Sequence, residues 1–107
     1  MRLPMADREM IQAYAMRLLA MGNPKRLEIL AILNEEEMSV CDLAEQLGMG
    51  QSSLSQHLAR LRQADLVTTR REGQLIFYRS ARPCLLELLK NLSRQFSAPR
   101  TAPAVRR

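Results

Sequence analysis

Apolar residues recur at helical spacing in the first third of the chain and predict two helices. The first helix is expected from Asp7, acting as its N-cap, to about Met21. Its apolar positions share one face, which we expect to be buried: Met10, Ile11, Tyr14, Leu18 and Met21. A second helix is expected after Asn23, whose side chain can cap it, since Pro24 at the first helical position loses no hydrogen bond. Its predicted inward-facing residues are Leu27, Leu30, Ile32 and Leu33, before a connector of Asn34 and three glutamates.

Two further short helices are predicted on either side of a tight glycine turn. Ser39 and Asp42 have the S-x-x-D spacing of a capping box, so a third helix is expected to start near Val40. Its inward-facing residues are Leu43, Ala44 and Leu47. Gly48 favours a left-handed C-terminal cap, and a fourth helix is expected from Gln51 to about Ala64. This arrangement is typical of a helix-turn-helix.

The fourth helix is predicted to have one apolar and one polar face. Leu54, Leu58 and Leu61 lie on the apolar face, because they recur at intervals of three and four residues. The opposite face carries Ser52, Gln56, Ala59, Arg60 and Gln63.

The last third of the chain predicts a β-hairpin followed by a helix. Residues 67–71 and 75–79 are rich in β-branched and aromatic residues and flank a predicted turn at Glu72 and Gly73, which indicates a basic hairpin, or wing. The final helix is expected from Pro83 to Phe96. It has more apolar positions than one narrow stripe requires, so we expect part of it to pack against a partner chain: Leu85, Leu86, Leu88, Leu89, Leu92 and Phe96.

The length of 107 residues fits one domain, predicted over residues 1–96. Residues 97–107 combine Pro, Ala and Arg without periodicity, which predicts a disordered basic tail. No apolar run approaches the roughly 20 residues that cross a bilayer, and the N-terminus lacks the apolar core of a secretory signal. We therefore expect a cytoplasmic protein with no membrane partner, whose two cysteines rest mostly as thiols.

The charge of the chain favours a polyanionic partner. The formal net charge is +5, and acidic residues cluster before the middle of the chain whereas arginines follow it. The basic residues of the second half are Arg60, Arg62, Arg70, Arg71, Arg79 and Arg82. There is no Cys/His/Asp grouping, no pair of carboxylates in a predicted cleft and no glycine-rich phosphate loop, so we expect neither an enzyme nor a cofactor.

The order of helices and hairpin resembles a known family, together with the segments NPKRLEIL, SVCDLAEQLGMGQSSLSQHLARLRQADLV and TTRREGQLIFYR. The resemblance is to the ArsR-type (ArsR/SmtB) winged helix-turn-helix transcriptional repressors, nearest the branch of nodulation, biofilm and sulfide-response repressors, and covers about residues 10 to 95. It implies a mainly α fold with a small β-hairpin in the order α-α-α-α-β-β-α. It also implies a homodimer, joined through the first and last helices, on a partly palindromic double-stranded operator with half-sites roughly 10 bp apart.

The resemblance makes the fourth helix a recognition helix that presents its N-terminal side chains to base edges. The predicted DNA-contacting residues are Gln51, Ser52, Ser53, Ser55, Gln56, His57, Arg60, Arg70, Arg71 and Gln74. Gln56 is the main candidate for base reading, because a glutamine can make a bidentate contact to adenine. The alternatives are a solvated polar face, surface ion pairs such as Arg71 with Glu72 or Arg62 with Asp65, and a hydrogen-bonded structural role for His57. Gly50 departs from the family, in which a serine commonly caps this helix.

The signal to which such a repressor responds is left open by the sequence. Cys41 lies in the first turn of a helix, which favours a reactive thiolate, although a buried apolar role is an equal alternative. Cys84 lies near the start of the last helix, whereas thiol-responsive relatives carry their second cysteine near its end. Metal-sensing relatives have a C-x-C motif where this chain has Ser39-Val40-Cys41, so no metal site is predicted. A constitutive repressor and a metal-responsive repressor remain alternatives to a thiol-responsive or persulfide-responsive one.

Overall fold

A computed structural model describes residues 4–97, which form five helices and a small three-stranded antiparallel sheet. The elements are α1 (Met5–Met21), α2 (Pro24–Glu35), β1 (Met38–Ser39), α3 (Val40–Leu47), α4 (Gln51–Gln63), β2 (Val67–Glu72), β3 (Leu75–Ser80) and α5 (Pro83–Ser97). The predicted mainly α winged helix-turn-helix class is confirmed, with one short strand added between α2 and α3. Ser97 belongs to α5, so the predicted tail of residues 97–107 is one residue too long, and the rest of it lies outside the described residues.

Side-chain caps start two of the helices as predicted. The Asn23 side-chain oxygen accepts the Arg26 backbone N–H at the start of α2, at 3.1 Å. The Ser39 hydroxyl accepts the Asp42 N–H at the start of α3, at 3.3 Å. The prediction for α1 was wrong, because the helix begins two residues before Asp7 and Pro4 occupies its cap position. Asp7 lies instead in the first turn, where its negative charge is favourable to the helix dipole.

A left-handed glycine makes the turn between α3 and α4, as expected. Gly48 has a φ of 65°, and its N–H donates to the Glu45 carbonyl at 3.2 Å. The N–H of Met49 donates to the Ala44 carbonyl at 3.0 Å. These two bonds form a Schellman motif, which satisfies the last carbonyls of α3 and lets α4 begin three residues later.

The C-terminus of α4 has the same motif with an aspartate in the left-handed position. Asp65 has a φ of 59°, and the N–H of Leu66 donates to the Leu61 carbonyl at 2.9 Å. Two arginines satisfy neighbouring carbonyls: Arg17 of α1 donates to Ala64 O at 3.2 Å, and Arg82 donates to Asp65 O at 3.0 Å. Arg82, one of the basic residues of the second half of the chain, is therefore engaged with the carbonyl that follows the cap of α4.

The sheet has the order β1-β3-β2, and β1 was not expected from the sequence. Met38 pairs with Tyr78 and Ser39 with Phe77, so the two residues after the predicted connector join the hairpin. The predicted turn at residues 72 and 73 was also wrong, because Glu72 pairs with Leu75 and the turn lies one residue later. Gly73 has a φ of 65°, a conformation for which glycine is the favoured residue.

The core is centred on the apolar face of α4. Leu54, Leu58 and Leu61 are at most 1% exposed. They lie in one cluster with Ala20, Met21, Ile29, Leu30, Leu33, Leu43, Ala44, Ala64, Leu66 and Val67. Ile29, fully buried, was missing from the predicted inward face of α2, whereas Leu27 and Ile32 are only partly buried.

Most of the apolar face of α1 is not buried by the residues that the structure describes, contrary to the prediction. Met21 is 4% exposed, but the other four members of the predicted face are about half exposed or more: Met10, Ile11, Tyr14 and Leu18. Only the C-terminal end of α1 carries buried residues, so no element within residues 4–97 covers the rest of that face. In α5, Leu85, Leu86 and Leu89 pack against the core, while Leu88, Leu92 and Phe96 are exposed. Within residues 4–97, no helix is long and apolar enough to span a membrane.

The left-handed position of Gly48 generates a stability prediction. A Cβ at residue 48 meets no atom within 4 Å, so the cost of Gly48→Ala comes from the backbone conformation alone. We expect this substitution to lower the free energy of unfolding by about 1–2 kcal/mol in urea denaturation. Gly50→Ser is the matched control: residue 50 has a φ of −71°, and the added hydroxyl caps α4, so a gain of about a few tenths of a kcal/mol is expected. Equal stability of Gly48→Ala and the native protein would contradict this account.

Candidate nucleic-acid interface

The outer face of α4 is a continuous polar surface. Gln51, Ser52, Ser53, Ser55 and Gln56 are all exposed, and the leucines on the opposite face are buried. The N-cap residue Gly50 makes no side-chain hydrogen bond, as its lack of a hydroxyl implies. The helix therefore presents amide and hydroxyl groups, which donate and accept hydrogen bonds, on its first two turns. These are the groups that read base edges in a major groove.

Cys41 touches the first residue of the recognition helix. Its side chain is exposed, which shows that the buried apolar reading was wrong. The side-chain amide of Gln51 donates to Cys41 Sγ at 3.3 Å. Cys84 is also exposed, in the first turn of α5, and both cysteines are free thiols. A chemical modification of Cys41 would therefore change the position of the Gln51 side chain at the start of α4.

A group of basic side chains lies beside the recognition face, where α2 meets α4. Arg26 of α2 places Nη1 3.3 Å from Nδ1 of His57, and its Nε donates to the Ala20 carbonyl. A cleft of about 430 Å³ opens here, lined by Arg26, Gln56, His57, Ala59 and Arg60. Partial burial lowers the pKa of His57, and the positive charges of Arg26, Arg60 and Lys25 lower this pKa further. His57 is half-buried and hydrogen-bonded, as the structural alternative proposed.

Arg70 of the wing is held by carboxylates. Its Nη2 lies 2.7 Å from Oε1 of Glu37, its Nη1 lies 3.2 Å from Oε2 of Glu72, and its guanidinium carbon lies 4.8 Å from the centre of the Phe77 ring. The hydrogen bond from Arg70 lowers the pKa of Glu37, and the same bond raises the pKa of Arg70. The expected pairing of Glu72 with Arg71 was wrong, because Glu72 pairs with Arg70 instead.

Arg71 lies on the other face of the hairpin from Arg70. Arg71 pairs with Ile76 across the strands, and Thr69 with Tyr78, so these four side chains share one face. Tyr78 lines a cleft of about 340 Å³ together with Ser55, Ala59, Arg62 and Gln63 of α4. Arg71 is exposed and has no ion pair within residues 4–97. It is thus a wing cation whose charge is not neutralised, on the sheet face directed toward α4.

The structure brings the predicted contact residues into two groups. Gln51, Ser52, Ser53, Ser55, Gln56, His57 and Arg60 are on α4, and Arg70, Arg71 and Gln74 are on the wing. Gln74 is exposed in the hairpin turn, and the expected pairing of Arg62 with Asp65 is not among the ion pairs of the described residues. Sequence reasoning did not single out Arg26 or Glu37. Arg26 lies within the segment NPKRLEIL, which was the available signal, but its contact with His57 spans 31 residues.

Metal-ligating side chains are not clustered in the part of the chain that the structure describes. No group of three or more His, Cys, Asp or Glu side chains there is arranged to hold a metal ion. The single histidine contacts an arginine, and the two cysteines lie in the first turns of different helices. The polar and charged side chains that could bind a ligand therefore lie on α4, on the adjoining turn of α2 and on the wing.

Comparison with known proteins agrees with this geometry. The profile described as "Bacterial regulatory protein, arsR family" matches residues 23–69, from the cap of α2 into β2. The nodulation protein NolR of Rhizobium meliloti is 48% identical over 91 residues, covering 85% of this chain and 75% of NolR. The biofilm growth-associated repressor of Agrobacterium fabrum is 40% identical over 85 residues, covering 79% of this chain and 73% of the repressor.

A solved structure matches nearly the whole described fold. It is the homodimeric winged helix-turn-helix DNA-binding domain Mb0332 of Mycobacterium bovis, with a TM-score of 0.83 and 26% identity, covering 95% of this chain and 97% of that one. The identity and coverage of NolR show relationship over most of both chains, and the matched profile spans the helix-turn-helix. The chain belongs to the arsR family of bacterial regulatory proteins.

Proposed function

We propose that the protein is a homodimeric transcriptional repressor that binds a partly palindromic operator and acts in the cytoplasm, without an obligatory metal. The observation that carries this proposal is the exposed amide and hydroxyl surface of α4, supported from behind by three buried leucines. A helix held rigidly on one side and polar on the other suits insertion into a major groove. The name of the Agrobacterium fabrum relative, a repressor, supports repression as the mode of regulation.

Base reading is assigned to the N-terminal half of α4. Gln56 is exposed on the second turn, and its amide can pair with both the N6 and N7 positions of adenine. Gln51, Ser52, Ser53 and Ser55 flank it. Arg60 and the wing residues Arg71 and Gln74 are assigned to phosphates or the minor groove, where they contribute affinity more than sequence choice. Arg70 contributes less than its charge suggests, because Glu37 and Glu72 already neutralise it.

Dimerisation is assigned to the uncovered apolar faces of the first and last helices. These exposed residues are Met10, Ile11, Tyr14, Leu18, Leu88, Leu92 and Phe96. So many large apolar side chains on two helices are unusual for a surface that stays in water. The homodimeric state of the Mb0332 domain supports the same arrangement. Two copies related by a two-fold axis would present two recognition helices to successive major grooves.

The first test measures binding to DNA from upstream of the protein's own gene, with light scattering to establish the mass of the free protein. We expect Gln56→Ala to weaken specific binding by about 1–3 kcal/mol and to leave binding to unrelated duplex DNA unchanged, because it removes a base contact only. Gln63→Ala is the matched control, an exposed glutamine on the last turn of the same helix, and should bind as the native protein does. A monomer, or no specific binding by the native protein, would refute the proposal.

The two wing arginines are expected to differ in their contribution to salt dependence. Arg71→Ala should make the plot of log affinity against log salt concentration shallower by about one for each subunit, because one cation that displaces counterions is lost. Arg70→Ala should change this slope less, since its charge is shared with Glu37 and Glu72. Filter binding at several salt concentrations measures both slopes. An equal change for both variants would show that DNA draws Arg70 away from its carboxylates.

A thiol-responsive repressor is the second candidate, favoured by the contact between Cys41 Sγ and the Gln51 amide at 3.3 Å. A persulfide donor transfers its outer sulfur to Sγ and leaves as a thiol, and the added sulfur lies where Gln51 now lies. This displaces the first predicted base-reading residue. Cys41 is exposed and accessible to an oxidant. The operator affinity would fall as a result.

The corresponding experiment compares operator binding before and after treatment with a persulfide donor, and separately with diamide, which oxidises two thiols to one disulfide. We expect the persulfide donor to abolish binding by the native protein and by Cys84→Ser, and to leave Cys41→Ser bound, because Cys41 contacts Gln51. If Cys41→Ser and Cys84→Ser both keep binding after treatment while the native protein loses it, the loss requires a bridge between the two cysteines. Unchanged binding by the treated native protein would leave a constitutive repressor, and loss only on adding a divalent metal would leave a metal-responsive one.

A further inference from the structure

The cleft where α2 meets the recognition helix has the composition of an anion site. Its walls carry Arg26, His57 and Arg60, with Gln56 at the edge shared with the base-reading surface. No carboxylate of the described residues lines this cleft. Lys25 also acts on His57 from α2, although its ammonium lies 3.3 Å from Glu28. The volume of about 430 Å³ leaves ample room for a tetrahedral anion and its water.

The contact between Arg26 and His57 defines which atom of the imidazole is unprotonated. A guanidinium group only donates hydrogen bonds, so Nδ1 of His57, 3.3 Å from Arg26 Nη1, must accept. The ring is therefore neutral, with its proton on Nε2. A second proton could enter only at Nδ1, where it would face another donor. The free protein consequently disfavours the imidazolium, in agreement with the lowered pKa of His57.

An anion would remove this conflict between two donors. A phosphate oxygen placed between Arg26 and Nδ1 accepts from both groups, so protonation of Nδ1 becomes favourable once the anion is present. The incoming proton comes from solvent. Gln56 and Arg60 are four residues apart on the same face of α4, which continues the cleft into the proposed DNA-contacting surface. The anion in reach of that surface is a phosphate of the bound duplex.

We propose that this basic cleft seats a backbone phosphate of the DNA, and that His57 takes up a proton as the phosphate binds. The inference rests on the proposed DNA-binding function and adds a site and a pH dependence to it. Within residues 4–97, the charged groups that act on His57 are Lys25 and Arg26 from α2 and Arg60 from α4, and these three are cations. α1 contributes Met16 and Leu19 near Arg26 and Arg60, without a charge in that contact.

The sign of the pH effect follows from proton uptake. The complex holds more protons than the separate molecules at any pH between the low pKa of His57 in the free protein and its higher pKa in the complex. Affinity therefore rises as pH falls through that window, and it is lowest above the pKa of the complex. Each unit of pKa difference corresponds to about tenfold in affinity for each cleft.

The experiment follows the imidazole of His57 by nuclear magnetic resonance, since it is the only histidine in the 107 residues. We expect the pKa of His57 to lie below 6.5 in the free protein and to rise by about one unit or more with duplex DNA from upstream of the gene. Inorganic phosphate alone is the second probe and should raise the pKa less, because it lacks the other contacts of the duplex. A rise as large as that with DNA would mark a site for free phosphate and overturn the proposal.

Variants separate the cleft from general electrostatics. Arg60→Ala should reduce the rise caused by DNA, whereas Lys90→Ala, which removes one positive charge on α5, should give the native value. His57→Gln should make operator affinity independent of pH between about pH 5 and pH 8, the range in which histidine titrates. Substitution of Arg26 is avoided, since Arg26 also bonds to the Ala20 carbonyl. Operator binding with no change in the pKa of His57 would overturn the proposed phosphate site and leave the proposed function intact. No operator binding at any pH would overturn both proposals.

Discussion

Burial of the leucine face of α4 is the constraint on which the rest of the structure depends. Leu54, Leu58 and Leu61 are removed from water almost completely, and each contributes about 2 kcal/mol to the free energy of folding. A helix has only one orientation that buries this face, so Gln56 and Arg60 must point outward. The two Schellman motifs set where the helix can lie, because one ends α3 just before it and the other turns the chain toward β2. Stability and the proposed DNA-reading surface therefore come from opposite sides of one helix.

Local signals predicted most of the helical framework. Asn23 and Ser39 were recognised as caps and Gly48 as a left-handed turn because each acts on residues within a few positions along the chain. The polar face of α4 was predictable from the same periodicity that marks its core. Periodicity along one helix does not show which other element covers its apolar face. The apolar face of α1 was therefore expected to be buried, although no element of the part of the chain that the structure describes lies over most of it.

Features that depend on distant residues were missed for a different reason. β1 has two residues, too few for a periodic pattern, and exists because β3 pairs with it. The link between Glu37 and Arg70 spans 33 residues, and that between Arg26 and His57 spans 31. Such contacts also reduce the number of arginines that can bind DNA. Arg17 and Arg82 donate to backbone carbonyls, and Arg70 is neutralised by carboxylates. The count of arginines in the sequence therefore overstates the positive charge available to DNA. The effective basic surface is smaller and more localised than composition suggests.

The exposed apolar faces of α1 and α5 affect the lifetime of a monomer against proteolysis. If the proposed homodimer forms, a newly made chain without a partner keeps large apolar side chains in water and has the lower stability of the two states, since association adds free energy that depends on concentration. Chains at low abundance would then be lost to proteolysis faster than chains at high abundance. The amount of such a regulator would therefore stay low until its synthesis rate is high enough for dimers to form, and would rise steeply above that rate.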